Sequence, residues 1–207
     1  MILGFAHLTI NVNDLGQAEL EWLEKGYLRT TLHKQVDNHP SKKIFANFYH
    51  PVHDILLMKG PGLWPIELTC HGPTDGENTN LLWSTETIKI RVREPAVLRR
   101  VLLNGLGFQL AKDGTLQFES RLPGWSCRIM LEEADSGPVR LDSTGPTCLA
   151  FYCNNLEEDA HCLIELGATD CTGIFDLTLG NRNMRIAMMR LPGGPLLELI
   201  SIRTDIP

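Results

Sequence analysis

Residues 4–27 read GFAHLTINVNDLGQAELEWLEKGY, and the change of period within this stretch decides the fold. In its first part the apolar residues Phe5, Leu8, Ile10 and Val12 fall mostly two apart, the side-chain period of a half-buried strand. Asn13 and Asp14 carry turn chemistry. Asp14 is a good N-cap, because its carboxylate accepts from backbone N–H groups that a first helical turn leaves free. Leu15, Ala18, Trp22 and Leu23 then share one side of a helix, with Leu20 near its edge. Gly26 stands where a helix terminates. The spacing predicts strand, turn and helix, with one histidine, His7, on the strand.

The same order recurs along the chain. After the helix, 27–36 reads as a strand, 37–43 as a polar turn, and 44–50 (IFANFYH) as a strong strand by its β-branched and aromatic content. Pro51 breaks it; 53–60 and 65–70 are further strands. A polar, turn-rich linker follows at 71–80. The pattern then restarts with a strand at 87–92 and a helix at 94–107, which has Pro95 in its first turn and glycines at its end. Strands at 108–114, 115–122 and 126–133 complete that copy. After a second linker, 134–146, a third copy has a strand at 147–153, a helix at 154–167 with an Asn cap and early acids, and strands at 168–180, 183–191 and 194–202. Three βαβββ units of roughly sixty residues are therefore expected, over 1–72, 84–135 and 146–204. The fold class is α+β, with repeated modules forming cup-shaped, mostly antiparallel sheets. One such module is a small sheet with a helix on one face. Its other face must be buried, so modules should pair and enclose a concave space suited to a small ligand.

Composition removes several alternatives. The 207 residues are 43% hydrophobic with a formal charge of −6, which argues against a nucleic-acid partner. The basic cluster Arg91, Arg93, Arg99 and Arg100 reads as a solvated face. The N-terminus has neither a basic region nor a long apolar one. No apolar run approaches the roughly 18 residues of a membrane span, so no membrane partner is expected. Six scattered cysteines without a CxxC pair read as free thiols of a reducing compartment, and a cytoplasmic location is expected. No glycine-rich phosphate loop, GxSxG or HExxH occurs.

AHLTINVNDLGQA…WLEKGY and PIEL in the first unit, IKIRVREPAVLRRVLLNGLGF in the second, and CLAFYCNNLEEDAHCLIELG with GGPLLELI in the third resemble the vicinal oxygen chelate superfamily. That superfamily includes glyoxalase, extradiol dioxygenases, fosfomycin-resistance enzymes and bleomycin-binding proteins. The resemblance implies a histidine on the first strand and a carboxylate on the last strand of one unit, with an equivalent pair from a partner unit. They would hold a divalent cation (Zn, Ni, Mn or Fe) that binds two oxygens of a small-molecule substrate. Carried onto this chain, it implies His7 and Glu67 as metal ligands, with Glu67 also the catalytic carboxylate. It places Glu198 at the corresponding position of the third unit, where Cys148 stands in place of the histidine. The second unit has Thr87 at the histidine position and ends in Leu131-Glu132-Glu133, so it has lost the histidine. The implied activity is that of a lyase, isomerase or dioxygenase. A metal-free cup that sequesters an apolar ligand is the alternative.

Plainer assignments compete with these. His7 can be a hydrogen-bonded core histidine, and Cys148 a small buried hydrophobe. Glu67 and Glu198 can face solvent or pair with Arg185 or Arg190, and the second of these is expected to do so. His50, His53 and His71, at strand ends near turns, can line the mouth of the cup but are expected at the surface, and His161 is expected away from any site. Trp22, Phe45, Phe48, Trp64 and Phe151 are expected in the core. Three units also pair in two ways. Units two and three can pair within the chain while unit one meets its counterpart in a second chain. That homodimer supplies His7 and Glu67 twice and is the favoured arrangement. Alternatively, unit one pairs with unit three and gathers His7, Glu67 and Glu198, with a gap at Cys148.

Overall fold

The computed structural model describes residues 1–60, 64–72, 76–84, 87–121 and 126–202. The opening stretch folds as its periods dictate, with strand β1 (Ile2–Asn11) and helix α1 (Leu15–Glu24). The Asp14 carboxylate accepts from Gln17 N at 3.0 Å, and Gly26 leaves the helix at φ 85°. Strands β2 (Leu28–Asp37), β3 (Val52–Lys59) and β4 (Ile66–Cys70) follow. The middle of the chain gives β5 (Leu81–Trp83), β6 (Ile88–Val92), α2 (Pro95–Asn104), β7 (Gln109–Leu110), β8 (Leu116–Phe118) and β9 (Cys127–Glu133). The last third gives β10 (Gly145–Cys153), α3 (Leu156–Glu165), β11 (Ile174–Leu179), β12 (Arg182–Arg190) and β13 (Leu196–Ile202). The class is α+β, and the sheets are mostly antiparallel.

Two local expectations fail. Residues 44–50 form no strand: a 3-10 helix, Pro40–Phe45, runs into them, and the chain then turns through the cup. Their β-propensity loses to long-range partners. The Asp142 carboxylate accepts from Asn47 N and Phe48 N at 2.9 and 2.8 Å, and Leu141 N donates to Phe45 O at 2.9 Å. Phe45 is buried as expected, whereas Phe48 is exposed. The linker 71–80 leads into β5, an apolar strand of three residues that falls between the linker and the second unit. The turns expected at Pro61-Gly62 and Pro123-Gly124 lie outside the described residues.

The pairing of units is the larger correction. Units one and three, not two and three, join within the chain into one eight-stranded sheet ordered β11-β12-β13-β10-β1-β4-β3-β2. Its centre is the antiparallel pair β1 and β10, with β4 parallel to β1 on one side and β13 parallel to β10 on the other. The arrangement is close to two-fold, since Thr9 pairs with Glu67 across β1 and β4 as Ala150 pairs with Glu198 across β10 and β13. Units two and three share no sheet among the described residues and meet through a common apolar core.

Alternation sorts the side chains of this sheet into two faces. Phe5, Leu8, Ile10, Ile66, Leu68, Leu149, Phe151, Leu197 and Leu199 face outward into the main core. There they meet α1, α3 and the whole apolar side of unit two, whose own five-stranded sheet is ordered β5-β6-β9-β8-β7. Phe151 anchors this junction, with its ring edge-on to Phe5 (5.2 Å), Phe118 (5.4 Å) and Phe108 (6.0 Å). Unit two thus spends its apolar face on the outside of the large sheet. Its opposite face carries the exposed pairs Lys89–Glu132 and Arg91–Glu132. On the inner face of the large sheet, Phe45, Val139 and Leu141 pack against Cys148, Ala150, Ile186, Met188 and Leu196. The two edge strands, β2 and β11, stand across an open groove of about 880 Å³. Among the described residues, no helix is long and apolar enough to cross a membrane.

Candidate metal centre

The inner face gathers the site. A bulge in β1 between Phe5 and His7 is the local cause: it lets Phe5 and Leu8, three apart, both face outward while His7 points inward. Ordinary alternation then puts Thr9 on the same inner side as His7. In β4, Ile66 and Leu68 face out and Glu67 faces in. In β13, Leu197 and Leu199 face out and Glu198 faces in. The three candidate ligands therefore arrive on three strands with fixed backbones.

The structure brings His7, Glu67 and Glu198 together, with one donor atom from each inside a 4.8 Å cluster. His7 Nε2 lies 3.6 Å from Glu67 Oε2 and 3.7 Å from Glu198 Oε2. Both distances exceed a hydrogen bond, and this buried nitrogen has no hydrogen-bond partner among the described residues. The side chains of Glu67 and Glu198 are only 12% and 10% exposed. Thr9 Oγ1 donates to Glu67 Oε1 at 3.3 Å, which leaves Oε2 directed at the imidazole. Arginine does not balance these acids, contrary to expectation for Glu198: Arg185 bonds Glu157 at 2.5 Å and Arg190 bonds Asp170 at 2.9 Å.

Electrostatics in this spot are opposed and large. Burial disfavours a charged His7, but the two carboxylates outweigh it and its pKa is raised. Glu67 is raised by burial, and Glu198 adds to that, with His7 opposing. For Glu198 burial also pushes upward, but His7 and Lys42 prevail and hold it below the ordinary value. Cys148 lines the same space as a buried thiol whose pKa burial pushes well up. Its Sγ does not join the donor cluster.

Three further residues line this space that the sequence did not reveal as site residues. Lys42, from the 3-10 helix, is 8% exposed. His53 and His71 are buried, not at the surface, and stack at 4.7 Å between ring centroids. Burial lowers their pKa values to about 2 and about 3, with His71 and Lys42 adding to the fall at His53, and Lys42 and His50 at His71. His53 Nδ1 has no hydrogen-bond partner among the described residues. Thr9 was recoverable from period alone, two residues after His7 on one strand face. Lys42 was not, because it belongs to a turn whose fold depends on Asp142 and Leu141.

An imidazole nitrogen and two carboxylate oxygens suit a borderline-to-hard divalent transition metal, and three protein donors leave coordination positions for a substrate. The chain's residues fit such an ion. Two buried carboxylates with no arginine partner, beside a His7 Nε2 that has no hydrogen-bond partner among the described residues, form a donor set for such an ion.

No protein-family model matches the chain, and no curated protein sequence does. Solved structures do resemble it. Glyoxalase I from Zea mays is 16% identical, with a TM-score of 0.40 over 97% of this chain and 68% of that chain. Methylmalonyl-CoA epimerase from Mycobacterium tuberculosis is 17% identical, with a TM-score of 0.47 over 99% of this chain and 91% of that one. The likeness is one of overall architecture at low identity, and it assigns the chain no activity.

Proposed function

We propose that the chain binds a divalent transition metal through His7, Glu67 and Glu198 and acts on a small oxygen-bearing molecule, as a lyase, isomerase or dioxygenase. The convergence of one buried imidazole and two buried carboxylates from three strands carries this reading. When bound, the ion supplies Lewis acidity toward substrate oxygens. The chain's own residues do the rest. Thr9 orients Glu67 through its hydroxyl. Glu67, raised by burial, is the carboxylate suited to take or return a proton. Phe45, Val139 and Leu141 keep bulk water off the inner face.

Metal titration of chelator-stripped protein tests the reading. Tight uptake of about one Zn²⁺ or Co²⁺ per chain is expected, and His7→Ala should weaken it roughly 100-fold or more, since a ligand is lost outright. Unchanged uptake in His7→Ala defeats the proposal.

One observation favours the metal-free alternative. Cys148 stands where the third unit would carry a second histidine, and its thiol does not join the donor cluster, so the set is one imidazole short of two matched pairs. Thermal stabilisation by small ligands that is indifferent to chelator would select sequestration over metal chemistry.

A further inference from the structure

We propose that Lys42 is an anion-positioning residue of the site, so that the loaded centre selects small molecules binding through a carboxylate or another anionic oxygen. This inference rests on the metal reading above and deepens it.

Lys42 lines one cavity with Glu67, Glu198, His53, His71, Thr9 and Cys148. Lys42 is a buried residue that makes no direct ion pair among the described residues, and its charge acts on both Glu67 and Glu198 across the cavity. Its Nζ stands over the Phe175 ring, 5.6 Å from the centroid. The charge count then decides the ligand. Two carboxylates and a divalent ion cancel, His53, His71 and the Cys148 thiol are neutral, and Lys42 leaves the loaded site with one net positive charge. An incoming anionic oxygen removes that excess, whereas a neutral carbonyl or hydroxyl does not. His53 Nδ1, buried and without a hydrogen-bond partner among the described residues, is available to the same ligand.

Size points the same way. About 30 Å³ is one water's share of volume, so only a small polar head enters beside the carboxylates. Leu177 lines both this cavity and the 880 Å³ groove between β2 and β11. The body of a ligand lies in that groove, and its anionic head passes Leu177 to reach Lys42. The four-carbon stem of Lys42 supplies the adjustment that the head requires.

Co²⁺-loaded protein tests this with glycolate and its neutral isostere glycolamide, followed by calorimetry and by the visible bands of bound Co²⁺. Wild-type protein is expected to bind glycolate roughly tenfold or more tighter than glycolamide, as a charge-assisted contact would give. Lys42→Met should keep or tighten Co²⁺ binding and lose that preference, and Lys42→Arg should retain it. No preference in the wild type, or an undiminished one in Lys42→Met, overturns the role of Lys42 while leaving the metal reading intact. Absence of Co²⁺ binding by the wild type overturns both. Should Lys42→Met fail to fold, Lys42→Gln and the wild-type preference decide by the same criteria.

Discussion

Acid should destabilise this protein through two histidines that the sequence places at the surface. His53 and His71 are buried, stacked and held neutral, with pKa values near 2 and 3. A histidine whose folded pKa lies below its unfolded value of about 6.5 contributes stability that is complete above that value. The contribution fades as pH falls toward the folded pKa, because only the unfolded chain takes up the proton. Between about pH 7 and about pH 5 each such histidine loses roughly 2 kcal/mol, and the pair loses roughly 4 kcal/mol, a large part of the 5–15 kcal/mol typical of a domain. His7 works the other way. Its raised pKa adds stability that is present in acid and lost as pH rises through the raised value. The effect is therefore read as a difference between proteins. Urea unfolding of chelator-treated wild type and of His53→Gln/His71→Gln should show a much shallower acid dependence in the double variant, with His53→Gln alone about halfway. Equal slopes in wild type and double variant would refute the reasoning, as would an NMR titration placing the native His53 pKa near 6.

Removing the Asp142 carboxylate in Asp142→Ala strands two N–H groups and should cost about 1–3 kcal/mol, with hydrogen exchange accelerated at Asn47 and Phe48. Cys148→Ser should leave Co²⁺ affinity within about twofold, because the thiol stands outside the donor cluster; a loss of tenfold or more would make it a ligand. Phe151→Ala removes the ring that joins Phe5, Phe108 and Phe118, and should cost about 3–5 kcal/mol in chemical denaturation. A smaller cost would mean that unit two docks on the large sheet by other contacts.

What could be read from the residues was whatever depends on neighbours along the chain. The strand–turn–helix of residues 4–27 was legible because its hydrophobic period switches at an Asp cap, and both signals are local. The placing of Glu67 and Glu198 on one face of their strands was legible for the same reason, since alternate side chains point the same way. Tertiary structure alone decided which units pair. The outer faces of units one and three and the helix side of unit two are all apolar, and sequence does not say which covers which. It also decided that 44–50 turns through the cup, because Asp142, nearly a hundred residues away, holds those N–H groups. The bulge before His7, the burial of His53 and His71 and the arrival of Lys42 beside two carboxylates follow from that packing. Local period fixes the direction of a side chain on its own strand; only contacts between distant strands determine what it meets there.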